Sequence, residues 1–137
     1  MTVDAALIHK NAATGNGGGI FSSSNDASLT IRNNAQVYDN TAQQGAGIYT
    51  TVGIDVEPPT VSITDSSITG NVASTVGGSI FNDGCPVSLT SSTVFQNAAA
   101  IAGGFFNTAG GAMTHDSESA VVDNTPTTCV GTDACEE

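Results

Sequence analysis

Residues 68–81 read ITGNVASTVGGSIF, from Ile68 to Phe81, and hold both halves of a pattern that returns along the chain. The first half is an aliphatic residue followed three positions later by asparagine, here Ile68 and Asn71. It recurs as Ile8/Asn11, Val37/Asn40, Val94/Asn97 and Val121/Asn124, with the asparagines 29, 31, 26 and 27 residues apart. The second half is a cluster of small residues leading into an apolar pair, Gly77 to Phe81. It recurs as GGGIF at 17–21, GAGIY at 45–49 and AGGFF at 102–106. Between each cluster and the next asparagine lies a segment of period-2 alternation: Leu29/Ile31, Val61/Ile63, Val87/Leu89 and, less cleanly, Met113/His115. Self-similarity at a fixed interval is the signature of a repeat architecture.

Each unit of about 28 residues holds three short strand patterns and no ten-residue run of 3.6 periodicity, so helical solenoids are excluded. A propeller blade needs four antiparallel strands in roughly 40–45 residues, which is too long. The pattern predicts an all-β parallel β-helix over residues 1–126, of about four to five coils with three short strands each, followed by a C-terminal tail over 127–137. Equivalent strands then stack about 4.8 Å apart and inward residues meet their own kind. Three apolar stacks follow: Ile20, Ile48, Ile80 and Phe105; Ile31, Ile63 and Leu89; Val37, Ile68 and Val94. Asn11, Asn40, Asn71, Asn97 and Asn124 are expected to form an amide ladder that satisfies itself along the stack. Gly18, Gly47, Gly78 and Gly104 are read as turn glycines, where the absence of Cβ permits a positive φ.

Alternation points Phe21, Tyr49, Phe81 and Phe106 outward, either as a sticky strip or as packing beneath a loop. Thr30, Ser62, Ser88 and Thr114, with Arg32, Thr64, Thr90 and Asp116 beside them, form a hydroxylated outward wall.

The chain has 137 residues and 13.6 kDa, with thirteen acids against Lys10 and Arg32 and a net charge of −11. That balance disfavours nucleic acid as a partner. A hydrophobic content of 39% with mean hydropathy +0.05 argues against disorder. No apolar run approaches the roughly 18 residues of a membrane span, so no direct span is expected, and Met1 to Lys10 has no leader character. Cys85, Cys129 and Cys135 are an odd set; Cys129 and Cys135 are close enough in sequence for a local disulfide, with Cys85 free or intermolecular.

The glycine cluster before an aliphatic residue and the aliphatic-x-x-Asn step resemble repeats of the chlamydial polymorphic outer membrane proteins and similar bacterial secreted β-helix proteins, from about Val3 to Asn124. The family's Phe-x-x-Asn has Ile or Val in its first position here. The resemblance implies a right-handed parallel β-helix at the cell surface or outside the cell, often an adhesin or passenger segment.

Many such helices degrade polysaccharides, so an enzyme is weighed against a scaffold. A lyase would need a cation beside a carboxylate cluster, and Arg32 is the candidate; Asp26, Asp55 and Asp83 follow the glycine-rich strand as turn acids or as a Ca²⁺ or hydrolytic set. His115, beside Asp116, breaks the apolar pattern. GNGGGI at 15–20 lacks the lysine and helix of a phosphate loop. The linker 50–60 is the longest of its kind, and Asp55, Val56, Glu57, Pro58 and Pro59 make it the candidate partner loop. No cofactor or metal is implied. The ends of a solenoid expose unpaired peptide groups, so self-association through end strands, up to an end-to-end filament, is one expected mode of contact, other cell-surface proteins or glycans being the second. The expected function is a non-catalytic extracellular structural or adhesive solenoid. The alternatives are a carbohydrate-binding or polysaccharide-degrading module and, as a lesser one, an ice-binding surface.

Overall fold

The computed structural model describes residues 1–24, 28–53, 57–108, 110–133 and 135. The chain is an all-β parallel solenoid of about four turns. The first coil carries β1 (Thr2–Asp4), β2 (Leu7–His9) and β3 (Ile20–Ser24). The second carries β4 (Leu29–Arg32), β5 (Gln36–Tyr38), β6 (Thr41–Gln44) and β7 (Ile48–Val52), and the third β8 (Val61–Thr64), β9 (Ser67–Thr69), β10 (Val72–Val76) and β11 (Ile80–Asp83). Then come β12 (Pro86–Thr90), β13 (Thr93–Phe95) and β14 (Phe105–Asn107), and last β15 (Ala112–His115), β16 (Ala120–Val122) and β17 (Cys129–Val130). Three five-stranded parallel sheets result: sheet A in the order β1-β4-β8-β12-β15, sheet B as β2-β5-β9-β13-β16, and sheet D as β3-β7-β11-β14-β17.

Three strands per coil hold in the first, fourth and last coils, and the second and third carry a fourth. A fourth wall, sheet C, pairs β6 with β10 and continues as isolated bridges, Ala12 with Thr41 and Ala98 with both Val72 and Thr125. Its inward residues are Ala42 and Ala73, too small to register as apolar alternation between polar neighbours. Within the expected tail, β17 (Cys129–Val130) joins the solenoid by pairing in parallel with β14.

Register turns the repeat into a core. Ile20, Ile48, Ile80 and Phe105 are Cα partners in sheet D, as are Val37, Ile68 and Val94 in sheet B, and all are buried in one continuous cluster. The asparagines lie at the corner between sheets B and C. In each pair the lower-coil asparagine donates both its backbone N–H and its Nδ2 to Oδ1 of the next: Asn11 to Asn40 at 3.0 and 3.0 Å, Asn40 to Asn71 at 3.0 and 2.9 Å, Asn71 to Asn97 at 2.9 and 2.9 Å, and Asn97 to Asn124 at 3.0 and 2.9 Å. The amide also reaches the coil below, as when Asn97 Nδ2 donates to the carbonyl of Ile68. The residue before each asparagine, Lys10, Asp39, Gly70, Gln96 or Asp123, has φ between 53° and 65°. Four of these five are not glycine, so the ladder holds a left-handed corner that their side chains disfavour.

The four glycines read as turn residues fall in two neighbouring files, Gly18 with Gly78 and Gly47 with Gly104, and none has a positive φ. That conformation belongs to Gly17, Gly45, Gly77 and Ala102, at the start of each cluster. What the named glycines lack is room. A Cβ on Gly18 would lie 2.5 Å from the Thr41 carbonyl oxygen, and one on Gly78 would run into the carbonyl oxygens of Ala98 and Gly103. The wall bends so sharply there that backbone packs on backbone.

Two further ladders went unread in the sequence. At the A/B corner, Ser66 N–H donates to Ser92 Oγ (3.1 Å) and Ser92 N–H to Ser119 Oγ (3.0 Å). At the D/A corner, Asn82 Nδ2 donates to Asn107 Oδ1 (2.6 Å) and to the Cys85 carbonyl (2.7 Å). Among the described residues no buried side-chain nitrogen or oxygen lacks a hydrogen-bond partner.

Asn71→Ala would orphan the buried Asn40 N–H, leave the Asn40 amide with only the Ile8 carbonyl, and remove one of the two donors to Asn97 Oδ1, the residue-71 N–H remaining, and is expected to cost about 2–3 kcal/mol. Asn11→Ala, at the exposed end, should cost about 1 kcal/mol or less. Urea denaturation of the two variants checks this, and equal losses would contradict the ladder. Gly78→Ala should cost about 1–3 kcal/mol through overpacking, whereas Gly15→Ala, with open space around it, should stay within about 0.5 kcal/mol of the parent.

Candidate functional site

With the interior committed to stacking, chemistry has to come from outward faces, corners and ends. Sheet A presents the most regular face. Thr2, Thr30, Ser62, Ser88 and Thr114 are consecutive Cα partners, so five hydroxyls stand in one row, one per coil. Their spacing is that of parallel strands, about 4.8 Å. The row beside it is mixed: Thr64 and Thr90 pair at its centre, Asp4 and Arg32 at one end, and Asp116 follows at the other.

Arg32 is engaged at that end. Its Nε donates to Asp4 Oδ2 at 2.9 Å and its Nη2 lies 2.8 Å from the same oxygen, while Asn33 Nδ2 donates to Asp4 Oδ1 at 2.8 Å. Asp83 lies on another sheet and accepts from Thr51 Oγ1 (3.0 Å) and Thr108 Oγ1 (2.7 Å). Asp26 and Asp55, the other two members of that set, lie outside the described residues. Among the described residues no group of three or more His, Cys, Asp or Glu is placed to hold a metal ion. His115 occupies the inward register of Leu89, as the alignment requires, but is only half-buried, with Nδ1 2.9 Å from the Asp116 carbonyl oxygen. Of the candidate partner loop, Asp55 and Val56 lie outside the described residues, Glu57 and Pro58 are exposed, and Pro59 is buried.

The aromatic file of sheet D is a stack. Phe21, Tyr49, Phe81 and Phe106 follow one another at centroid distances of 5.2, 4.8 and 5.4 Å with interplanar angles of 2°, 2° and 13°. Each inner ring has both faces against its neighbours, which leaves Phe81 only 8% exposed. A sugar ring stacks on a free aromatic face, and here the inner faces are occupied by one another. Sheet B repeats the device on a smaller scale, with His9 on Tyr38 at 4.7 Å.

At the A/B corner a polar groove of about 280 Å³ is lined by Asn34, Gln36, Asp65, Ser67, Ser91 and Thr93. Next to it Asp116 accepts from Ser119 Oγ (2.6 Å) and, with both oxygens, from the Ser91 N–H (3.2 Å). The Ser119 hydroxyl foremost, and backbone N–H groups after it, hold the Asp116 carboxyl below its ordinary value. Asp4 is likewise held low, first by Asn33 and then by Arg32. Cys85 is free and fully buried, 3.2 Å from Thr50 Oγ1, and burial pushes its thiol up, opposed by the Thr50 contact. Cys129 and Cys135 are joined as a disulfide. Among the described residues no helix is long and apolar enough to cross a membrane.

Because the folded-state values of Asp4 and Asp116 lie below their unfolded ones, their contribution is complete above the unfolded carboxylate range and is lost as pH falls through the folded values. The stability difference between the parent and Asp116→Asn should therefore shrink on acidification, as read by denaturation at several pH values. Cys85 has the opposite sign: its contribution is full below the unfolded thiol value and fades as pH rises through the folded one. A maleimide should label Cys85 only on unfolding, and rapid native labelling would contradict its burial.

Compared with protein-family models, curated proteins and solved structures, the chain matches none.

Proposed function

We propose that the chain is a non-catalytic structural or adhesive β-solenoid of the cell surface or extracellular space, and that it holds other surfaces through the outward face of sheet A. The observation that carries this reading is the row Thr2, Thr30, Ser62, Ser88 and Thr114. Each hydroxyl both donates and accepts, and strand pairing fixes their separation before contact, so little backbone entropy is lost on binding. The row is neutral on a chain of net charge −11. Its complement is a neutral, hydroxyl-rich surface such as a glycan coat, because an anionic polymer would be repelled by the rest of the molecule.

A single hydroxyl contact contributes only about 0.5–1.5 kcal/mol net. Useful affinity therefore requires repetition along an extended partner, which an in-register row supplies. Since the neighbouring row is interrupted by Arg32, Asp4 and Asp116, the face offers one continuous line of hydroxyls and fits a linear chain better than a two-dimensional lattice. The Cys129–Cys135 disulfide supports an oxidising location. Stacked inner rings in sheet D support a structural role for the aromatic file over a sugar-stacking platform. End-to-end association of copies belongs to the same reading, through strands whose peptide groups face away from the stack.

Adsorption to insoluble neutral polysaccharides, cellulose and chitin, tests it. The parent should bind, and the double variant Ser62→Lys/Ser88→Lys, checked for intact folding by far-UV circular dichroism, should bind at least about tenfold more weakly, equivalent to ~1.4 kcal/mol. No adsorption by the parent, or equal adsorption by the variant, would overturn the reading.

A further inference from the structure

The outward file of sheet B is interrupted where that of sheet D is not. His9 and Tyr38 stack with centroids 4.7 Å apart and planes within 4° of parallel, but the next residue in register is Thr69, and a ring returns only with Phe95. Tyr38 and Phe95 are both half-buried, and among the described residues neither has a ring partner on the side of Thr69. Parallel strands two coils apart are separated by about 9.6 Å. One ring inserted over the short Thr69 side chain thus meets each aromatic at about 4.8 Å, within the 4.8 to 5.4 Å at which the rings of sheet D stack. The file has a ring-sized gap with two aromatic walls and a threonine floor.

Polar capacity lies beside the gap. Gln36, Ser67 and Thr93 stand two residues earlier on the same three strands and on the same face, and with Asn34 and Asp65 they line the polar groove of about 280 Å³, so slot and groove are contiguous. At the groove's edge the Ser91 hydroxyl is engaged with Glu118 (2.9 Å), whereas the side chains of Asn34, Gln36, Asp65, Ser67 and Thr93 hydrogen-bond to no other described residue. The backbone beneath them is fixed: Asn34 N–H donates to the Asp65 carbonyl at 2.7 Å and Asp65 N–H to that of Thr90 at 3.0 Å. Such a set suits a polyol, because an ionised carboxylate accepts from two hydroxyls at once and each carboxamide both donates and accepts. A saccharide ring also has faces for the slot, since its axial C–H groups are weakly positive and pack on the negative face of an aromatic ring. A flat aromatic ligand leaves the groove unused, and an anionic glycan is repelled by Asp65 and by a net charge of −11. We propose that the gap between Tyr38 and Phe95 seats one ring of a neutral saccharide while Asp65, Asn34 and Gln36 hold hydroxyls of the neighbouring ring. The site is on a different wall from the hydroxyl row of sheet A and does not rest on it: the row requires an extended surface, whereas the slot takes a short soluble oligosaccharide.

The chain has two tyrosines and no tryptophan, so Tyr49→Phe, which keeps a ring in the stack of sheet D, leaves Tyr38 as the only tyrosine fluorophore. Titration of that full-length background with cellotetraose and with chitotetraose should give a saturable change in emission. Thr69→Phe closes the gap with a ring, as sheet D does, and should weaken binding at least about tenfold. Asp65→Asn keeps the shape and suits a φ of 46°, and should weaken it about fivefold or more. Far-UV circular dichroism should be unchanged in both, and Ser62→Lys/Ser88→Lys should bind as the background does. No saturable response to either sugar up to about 10 mM, a response to indole and to neither sugar, or affinity untouched by Thr69→Phe or by Asp65→Asn would overturn the proposal. Loss of binding in Ser62→Lys/Ser88→Lys would do the same by moving the sugar to sheet A, whereas failure of the parent to adsorb to insoluble polysaccharide overturns the hydroxyl row and leaves the slot standing.

Discussion

Everything in this molecule depends on the vertical hydrogen bond from one coil to the next. Parallel pairing fixes the rise at about 4.8 Å per coil, and at that spacing each side chain meets the residue one repeat away before any other. The sequence is free to vary only where the outcome of that meeting is harmless. Isoleucine on isoleucine is apolar packing, phenylalanine on tyrosine is ring stacking, and asparagine on asparagine is a pair of hydrogen bonds. A charged residue repeated in the same file would face its own sign at every level. The scarcity of charge, 11% of residues, and the use of serine, threonine and asparagine at the corners follow from this constraint.

The corners are where the constraint is most demanding. Each coil must turn, and the turns require left-handed backbone: Ala5, Asp65 and Ser91 between sheets A and B, the residue before each ladder asparagine between B and C, and Gly17, Gly45, Gly77 and Ala102 between C and D. The last set announces itself with glycine at three of its four corners, and the B-to-C set only at Gly70. After Lys10, Asp39, Gly70, Gln96, Asp65 and Ser91, an amide or hydroxyl from the next coil pins the turn, so that Lys10 and Gln96 adopt a conformation they would avoid alone. A ladder and a turn are therefore two views of one arrangement.

This explains what could be read from the residues in advance. The apolar stacks and the Asn11 to Asn124 file were legible because both repeat in type and interval. The fourth wall was not, because Ala42 and Ala73 give no alternation against Thr41, Gln43 and Val72. The serine and Asn82/Asn107 ladders were hidden by changes of residue from coil to coil: Ala35 occupies the place of Ser66, and Thr50 that of Asn82. Side chains that meet across coils need only compatible chemistry, and a reading that seeks identity misses them. Glycine positions were legible and their reason was not, since a missing Cβ serves close approach at Gly18 and Gly78 and positive φ one residue earlier. For the candidate site, the hydroxyl row on sheet A was visible from alternation alone, whereas the engagement of Arg32 with Asp4 joins residues 28 positions apart and required the register.

The asparagine ladder has a sense. Every rung donates from the lower-numbered coil to the higher one, so its amide dipoles add rather than cancel along the axis, and the two tips of the rod are chemically unlike. A twofold contact joining identical tips would set donor against donor or acceptor against acceptor, whereas a head-to-tail contact keeps the series going. Any assembly built on this axis is therefore vectorial, with all members facing the same way, as in a polar fibre.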